Sequence, residues 1–191
     1  MKNYSKTSFS VLAILIFVIF AIGSSDDSST NNKTISDDSD TTTNVQKKVV
    51  KQNWLYQQDL DKMTNKKIYY AYTNSTNKID FEFPYEGGSS FQLLVRNMNN
   101  KNEVILSVSK GQFMSSYGNS EYLRVKFDDE QVKNYTFNSP DDGSSDLIFI
   151  SNPSNFISNL KTSKKLMIEA PFFDAGRQII YFDVDSLKWD K

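Results

Sequence analysis

The chain has 191 residues, with 22 Lys and Arg against 23 Asp and Glu, and contains neither cysteine nor histidine. Balanced charge leaves no electrostatic footprint for a polyanion such as nucleic acid. The missing residue types exclude disulfides, thiolate or imidazole metal sites, and any nucleophilic set that needs His or Cys.

Lys2 and Lys6 precede an unbroken apolar run, residues 11–22, and the chain turns polar and acidic at Ser24. Residues 1–23 therefore have the layout of a secretory signal peptide, with Ala21 and Gly23 as the small residues before a cleavage point between Gly23 and Ser24. The alternative is an uncleaved N-terminal membrane anchor over residues 9–23. As a helix that segment reaches about 22 Å, short of the roughly 30 Å of bilayer hydrocarbon. Either reading exports the chain, to the periplasm, the cell envelope or the medium.

Residues 24–46 are almost entirely Ser, Thr, Asp and Asn, with one lysine against five aspartates, a charge of −4. Such a segment buries too little apolar surface to offset its ordering entropy, so a disordered acidic linker is expected. Residues 47–191 carry 19 basic and 18 acidic side chains. They are expected to form a single near-neutral β domain on that tether.

Period-two alternation runs through this domain. Strands are expected at residues 68–72, at Ile79, Phe81 and Phe83, at Phe91, Leu93 and Val95, and at Val104, Leu106 and Val108. Gly111 marks a bend or bulge. Leu123, Val125 and Phe127 alternate with Arg124 and Lys126, and Tyr135 and Phe137 share a face of a weaker strand. Residues 147–150 are continuously apolar and read as a strand buried on both faces. Asn152 and Pro153 have the order of an N-cap and first helical residue, ahead of Phe156, Ile157 and Leu160 at helical spacing. Residues 166–170 and 178–184 read as the last two strands. The fold class is thus mainly β, an antiparallel sandwich or partly open barrel of about nine strands with one short helix. Trp54 and Trp189 stand near its two ends, either as separate core residues or as a contact that brings the termini together.

Few residues suggest chemistry. No phosphate-cradling glycine motif occurs. The S-x-x-K spacing appears at Ser75 with Lys78, Ser107 with Lys110 and Ser158 with Lys161, as expected by chance in a chain this rich in both residues. Carboxylate chemistry has Glu82, Glu86, Asp128, Asp129 and Glu169 to draw on, but needs two of them facing each other across a cleft. Asp141, Asp142 and Asp146 place three carboxylates around Gly143 and two serines, a hard-oxygen set for Ca²⁺ that lacks the EF-hand spacing. A solvated turn explains the same residues. The polar loops 73–77 and 115–120 are other candidate recognition edges. No catalytic and no cofactor-binding residue is assigned, and the balance leans away from an enzyme.

The junction from Phe20 to Asp27 resembles bacterial lipoprotein signals, in which an acidic stretch follows the lipidated cysteine; here that position is Ser24. From Asn53 to Asp190 the order of features resembles small bacterial envelope and lipoprotein-like domains of unknown function, and is more distantly similar to the type VI secretion accessory family VasI. Trp54, Asp61 and Met63, the strand ending in Phe127 and Asp128, the segments 146–147, 156–160 and 165–166, and the closing Phe182, Asp183 and Leu187 carry it. The resemblance implies an accessory or binding role at the envelope and transfers no catalytic residue. The expected function is a non-enzymatic envelope domain binding a protein or glycan, with no nucleic acid and no cofactor. The membrane is contacted only through an uncleaved N-terminus. The alternatives are a carboxylate-based hydrolase outside the membrane and a calcium-dependent adhesion module.

Overall fold

The structure, a computed structural model, describes residues 52–114 and 122–191, all within one unit. The signal or anchor, the linker, the junction of Gly23 with Ser24 and the polar loop 115–120 lie outside the described residues. In chain order the elements are β1 (Leu55–Asp61), β2 (Lys66–Asn74), β3 (Phe91–Met98), β4 (Lys101–Val108), β5 (Tyr122–Phe127), β6 (Lys133–Asn138), β7 (Leu147–Ile150), α1 (Pro153–Thr162), β8 (Lys165–Phe172) and β9 (Gly176–Asp183).

The alternation read from the sequence decides which face each strand buries. Phe91, Leu93 and Val95 of β3 point inward, as do Val104, Leu106 and Val108 of β4 and Leu123, Val125 and Phe127 of β5. Each such side chain contributes about 1.5–3 kcal/mol on burial, and a one-residue slip of register would turn its whole strand's set to solvent.

All nine strands are antiparallel and belong to one sheet, in the order β1-β2-β3-β4-β7-β6-β5-β8-β9. β1 to β4 form a meander. The chain then passes two strands over to β5 and returns through β6 and β7 to β4. The β7–β8 crossover contains α1, whose Phe156, Ile157 and Leu160 are buried.

The sheet is not closed into a barrel, yet its ends meet over three residues beyond β2. Ser75 bridges Phe182, and the Thr76 N–H donates to Tyr181 O at 2.8 Å. Asn77 acts like one more peptide unit, accepting from the Tyr181 N–H and donating to Ile179 O, each at 2.9 Å. β1 and β9 therefore lie end to end along the same flank of β2.

Two aromatic clusters fill the interior. Phe172 meets Phe81, Phe91 and Phe113 at centroid distances of 5.0, 5.7 and 4.7 Å. Phe127, Tyr135 and Phe156 form the second, at 5.1 to 6.5 Å. Gly111, expected at a bend, has φ +121, and a Cβ there would lie 2.9 Å from the Phe81 ring. The tail after β9 closes the remaining gap. The Trp54 indole donates to Val184 O at 2.8 Å, Leu187 and Trp189 are buried, and the Trp189 indole donates to Asn102 Oδ1 at 3.2 Å. Trp54 thus ties the start of the domain to the end of β9, while Trp189 reaches the β3–β4 turn.

Three expectations are corrected. Ile79 to Phe83 is not a strand: only Ile79 pairs, with Ser89, because Phe81 turns into the core while Phe83 stays 83% exposed. β1 takes its place in the count. It escapes period-two reading because an edge strand with exposed residues on both faces has no apolar alternation. β7 buries Ile148 and Ile150 fully but leaves Leu147 and Phe149 half-buried, so only one of its faces is core. The helix begins as read. The Asn152 side chain accepts from the Asn155 N–H, and Pro153 is the first helical residue.

Candidate functional site

The alternation that buries Leu123, Val125 and Phe127 turns Arg124 and Lys126 outward, and the paired strands continue the rows. Lys126 pairs with Met167, and Met167 with Tyr181. Beside that row Lys165 pairs with Asp183, and on its other side Arg124 pairs with Glu169 and Glu169 with Ile179. Between the first two rows lies an open groove of about 320 Å³, bounded by Thr76, Lys126, Asp128, Lys165, Met167, Tyr181 and Asp183.

Met167 and Tyr181 make an apolar floor, with Tyr181 42% exposed. Lys165 Nζ is held by Asp183 Oδ1 at 2.6 Å. Asp128 Oδ1 accepts from the Lys164 and Lys165 N–H groups at 2.9 and 2.8 Å, which fixes the chain entering β8. Lys126 makes no ion pair among the described residues, so its ammonium is the groove's uncommitted cation, whereas the Asp128 carboxylate is held by backbone N–H groups. Glu169 is shared between Arg124 at 2.5 Å and the Arg177 Nε at 2.7 Å. Arg177 also donates to Tyr122 O and lies 5.0 Å over the Tyr122 ring. An exposed cation over an aromatic face contributes about 0.5–1 kcal/mol.

The residues singled out from the sequence are not brought together. Asp141 and Asp142 are exposed, and Asp142 accepts from the Ser144 N–H, a bond that holds its carboxyl below the usual aspartate range. Asp146 is half-buried, with its backbone carbonyl bonded to the Val108 N–H. Among the described residues no group of three or more acidic side chains is placed to hold a metal ion. Glu82 and Glu86 lie in the 79–89 loop, whereas Glu169 lies on β8 between its two arginines. The S-x-x-K pairs also have other partners. Ser75 Oγ donates to Asn77 O and accepts from the Phe91 N–H, Lys110 Nζ donates to Glu86 O, and Lys161 Nζ donates to Trp189 O. The loop 73–77 is spent on joining β2 to β9, with Thr76 alone reaching the groove.

Sequence reading placed Lys126, Met167 and Tyr181 on separate strands and left Arg177 and Asp183 without a role. Their convergence depends on β5 pairing with β8 over a sequence separation of 41, from Lys126 to Met167 in register. Only the wide charge alternation of β5 hinted at a polar outer face.

The fold and groove together define the class of the described residues as a mainly β domain with one open antiparallel sheet, one short helix and a surface groove on the sheet's outer face. No family model matches the chain, and no match is found among the curated proteins or the solved structures.

Proposed function

We propose that this chain is a non-enzymatic binding domain of the cell envelope, holding a carboxylate-bearing protein segment or glycan on the outer face of β5, β8 and β9. The observation that carries the reading is the Lys126 ammonium, without an ion pair among the described residues, beside a floor of half-buried Met167 and exposed Tyr181. An apolar platform supplies contact area, and an ammonium outside any ion pair supplies orientation and selectivity for an acid. The neighbouring Lys165–Asp183 pair gives a polar rim that already satisfies itself. The accessory role fits the VasI-like order of features, and export rests on the apolar run ahead of the acidic linker. A hydrolase gains no support from Glu169, whose two oxygens are each committed to an arginine.

Titration of the full chain, with its methionine methyls labelled for NMR, tests the reading against acidic and neutral peptides and acidic and neutral oligosaccharides. An acidic member of either set is expected to shift the Met167 methyl. Lys126→Glu is expected to weaken that response about tenfold, the scale of one lost charge-assisted contact. Equal response to neutral ligands, or no response at Met167 to any of them, refutes it.

A further inference from the structure

The edge strand β1 is unlike every other strand of the sheet. Its six residues from Leu55 to Leu60 are all exposed, with Leu55, Tyr56 and Leu60 between 42% and 50%, and Met63 at its turn is 91% exposed. Among the described residues nothing pairs with its outer side. The direction of its free backbone groups follows from β2. The Ser75 N–H donates to Phe91 O on the β3 side and the Thr76 N–H to Tyr181 O on the opposite side. Even-numbered residues of β2 therefore bond toward β1, where their partners are Leu55, Gln57, Asp59 and Asp61. The N–H and C=O groups of Tyr56, Gln58 and Leu60 then face outward. The Leu60 N–H agrees, since it is met by the carboxylate of its neighbour Asp59 at 2.7 Å and not by β2.

We propose that this edge is the docking surface for a second copy of the chain, through a two-fold antiparallel pairing of β1 with β1 centred on Gln58. The choice of a second copy rests on the complementarity of the strand with itself. In this register the three outward-bonding residues pair as Tyr56 with the partner's Leu60, Gln58 with the partner's Gln58, and Leu60 with the partner's Tyr56, giving a continuous ladder. The apolar side chains meet each other on the face that the tail partly covers, where the Tyr56 hydroxyl already accepts from the Lys188 N–H. On the other face Gln57 lies opposite the partner's Asp59, and Leu55 opposite its Asp61, so no two carboxylates are opposed. Moving the centre to Asp59 would set Asp59 against Asp59, and moving it to Gln57 would oppose Leu60 to Trp54, which is outside the strand. Such an isologous contact closes on itself and takes the β1 edge out of reach of further strand addition. The contact is small beside the roughly 800 Å² per partner of a stable interface, so a reversible dimer is expected.

The absence of native cysteine makes the register directly readable. Gln57 and the partner's Asp59 form a non-hydrogen-bonded pair, with Cα atoms about 4.5 Å apart and within disulfide reach. Residue 57 against its own copy is diagonal at roughly 7–8 Å and out of reach. Full-length Gln57→Cys and Asp59→Cys chains in mild detergent are expected to form a disulfide dimer when mixed under oxidation, and little when either is oxidised alone. Gln58→Pro removes only an outward N–H, so the domain keeps its own ladder. It is expected to lower dimer affinity at least about tenfold in sedimentation velocity with tryptophan fluorescence unchanged. Equal cross-linking in all three samples, sedimentation as a monomer up to about 0.5 mM, or a dimer unaffected by Gln58→Pro each overturns the proposal.

Discussion

Gly111 and Phe81 act as one unit. The glycine's φ of +121 belongs to backbone that side chains rarely adopt, and the Phe81 ring occupies the space a Cβ would need. Gly111→Ala is expected to cost about 2–4 kcal/mol, combining backbone strain with displacement of a core ring, and thermal melts would measure it. Ser89 presents the opposite case. It is fully buried, and its Oγ has no hydrogen-bond partner among the described residues. Ser89→Ala removes an unsatisfied hydroxyl, so a gain of up to about 1 kcal/mol is expected in chemical denaturation. A loss of stability would show that the hydroxyl is satisfied in solution. Tyr135 shows a buried hydroxyl that is fully used: it donates to Asn155 at 2.8 Å and accepts from Asn159 at 3.1 Å, while burial pushes its phenol pKa up.

Among the elements, the β1–β2 hairpin has a turn tied to a carboxylate. Asp61 accepts from the Thr64 hydroxyl at 2.7 Å and the Met63 N–H at 2.9 Å, and these bonds, the hydroxyl foremost, lower its pKa. A carboxyl depressed in the folded state stabilises above its unfolded value and loses that contribution as pH falls through the folded one. The turn 62–65 is therefore expected to hold at neutral pH and to fray as pH drops below about 4, well before the core is affected. Amide exchange at Met63 and Thr64 across that range would follow it, and pH-independent exchange there would contradict it. α1 offers a second element-scale test. Asn152 has φ +54 as well as its capping bond, so Asn152→Ala loses the cap and strains the backbone, about 1–3 kcal/mol in all. Asn152→Gly keeps the backbone relaxed and is expected to cost only a few tenths of a kcal/mol, a contrast readable by helix signal and melting temperature.

At the scale of the whole molecule, the termini of the domain hold the open sheet together. Trp54 and Val184 are joined by a buried hydrogen bond between residues 130 apart, and Thr76 reaches Tyr181 across 105. Contacts this distant in sequence must be closed against loop entropy before they contribute. Folding is accordingly expected in milliseconds to seconds, with stopped-flow fluorescence of the two tryptophans as the probe. Trp54→Phe leaves the Val184 carbonyl without its donor and is expected to destabilise by about 2–3 kcal/mol. Because both sheet ends share that contact, the loss should appear as one cooperative transition at lower denaturant, and a separate early transition of β9 would show that the ends unfold independently.

The sequence by itself determined the β class, the inward sets of β3, β4 and β5 and the start of the helix. Those properties are local: alternation is written at spacing two, and a cap such as Asn152 acts within three residues. It also determined what chemistry is absent, since a chain without His or Cys cannot build their sites. Only the tertiary structure decided that Phe81 turns inward and Phe83 outward, that an unpatterned segment becomes β1, and that Lys126, Met167 and Tyr181 share one face. Each of these depends on which strand lies beside which, and the pairing of β5 with β8, β4 with β7 and β2 with β9 joins residues whose proximity no local pattern encodes. The edge of β1 belongs to both levels. Its self-complementary residues are legible in the sequence, but the parity that turns Tyr56, Gln58 and Leu60 outward exists only once β2 is paired on both flanks.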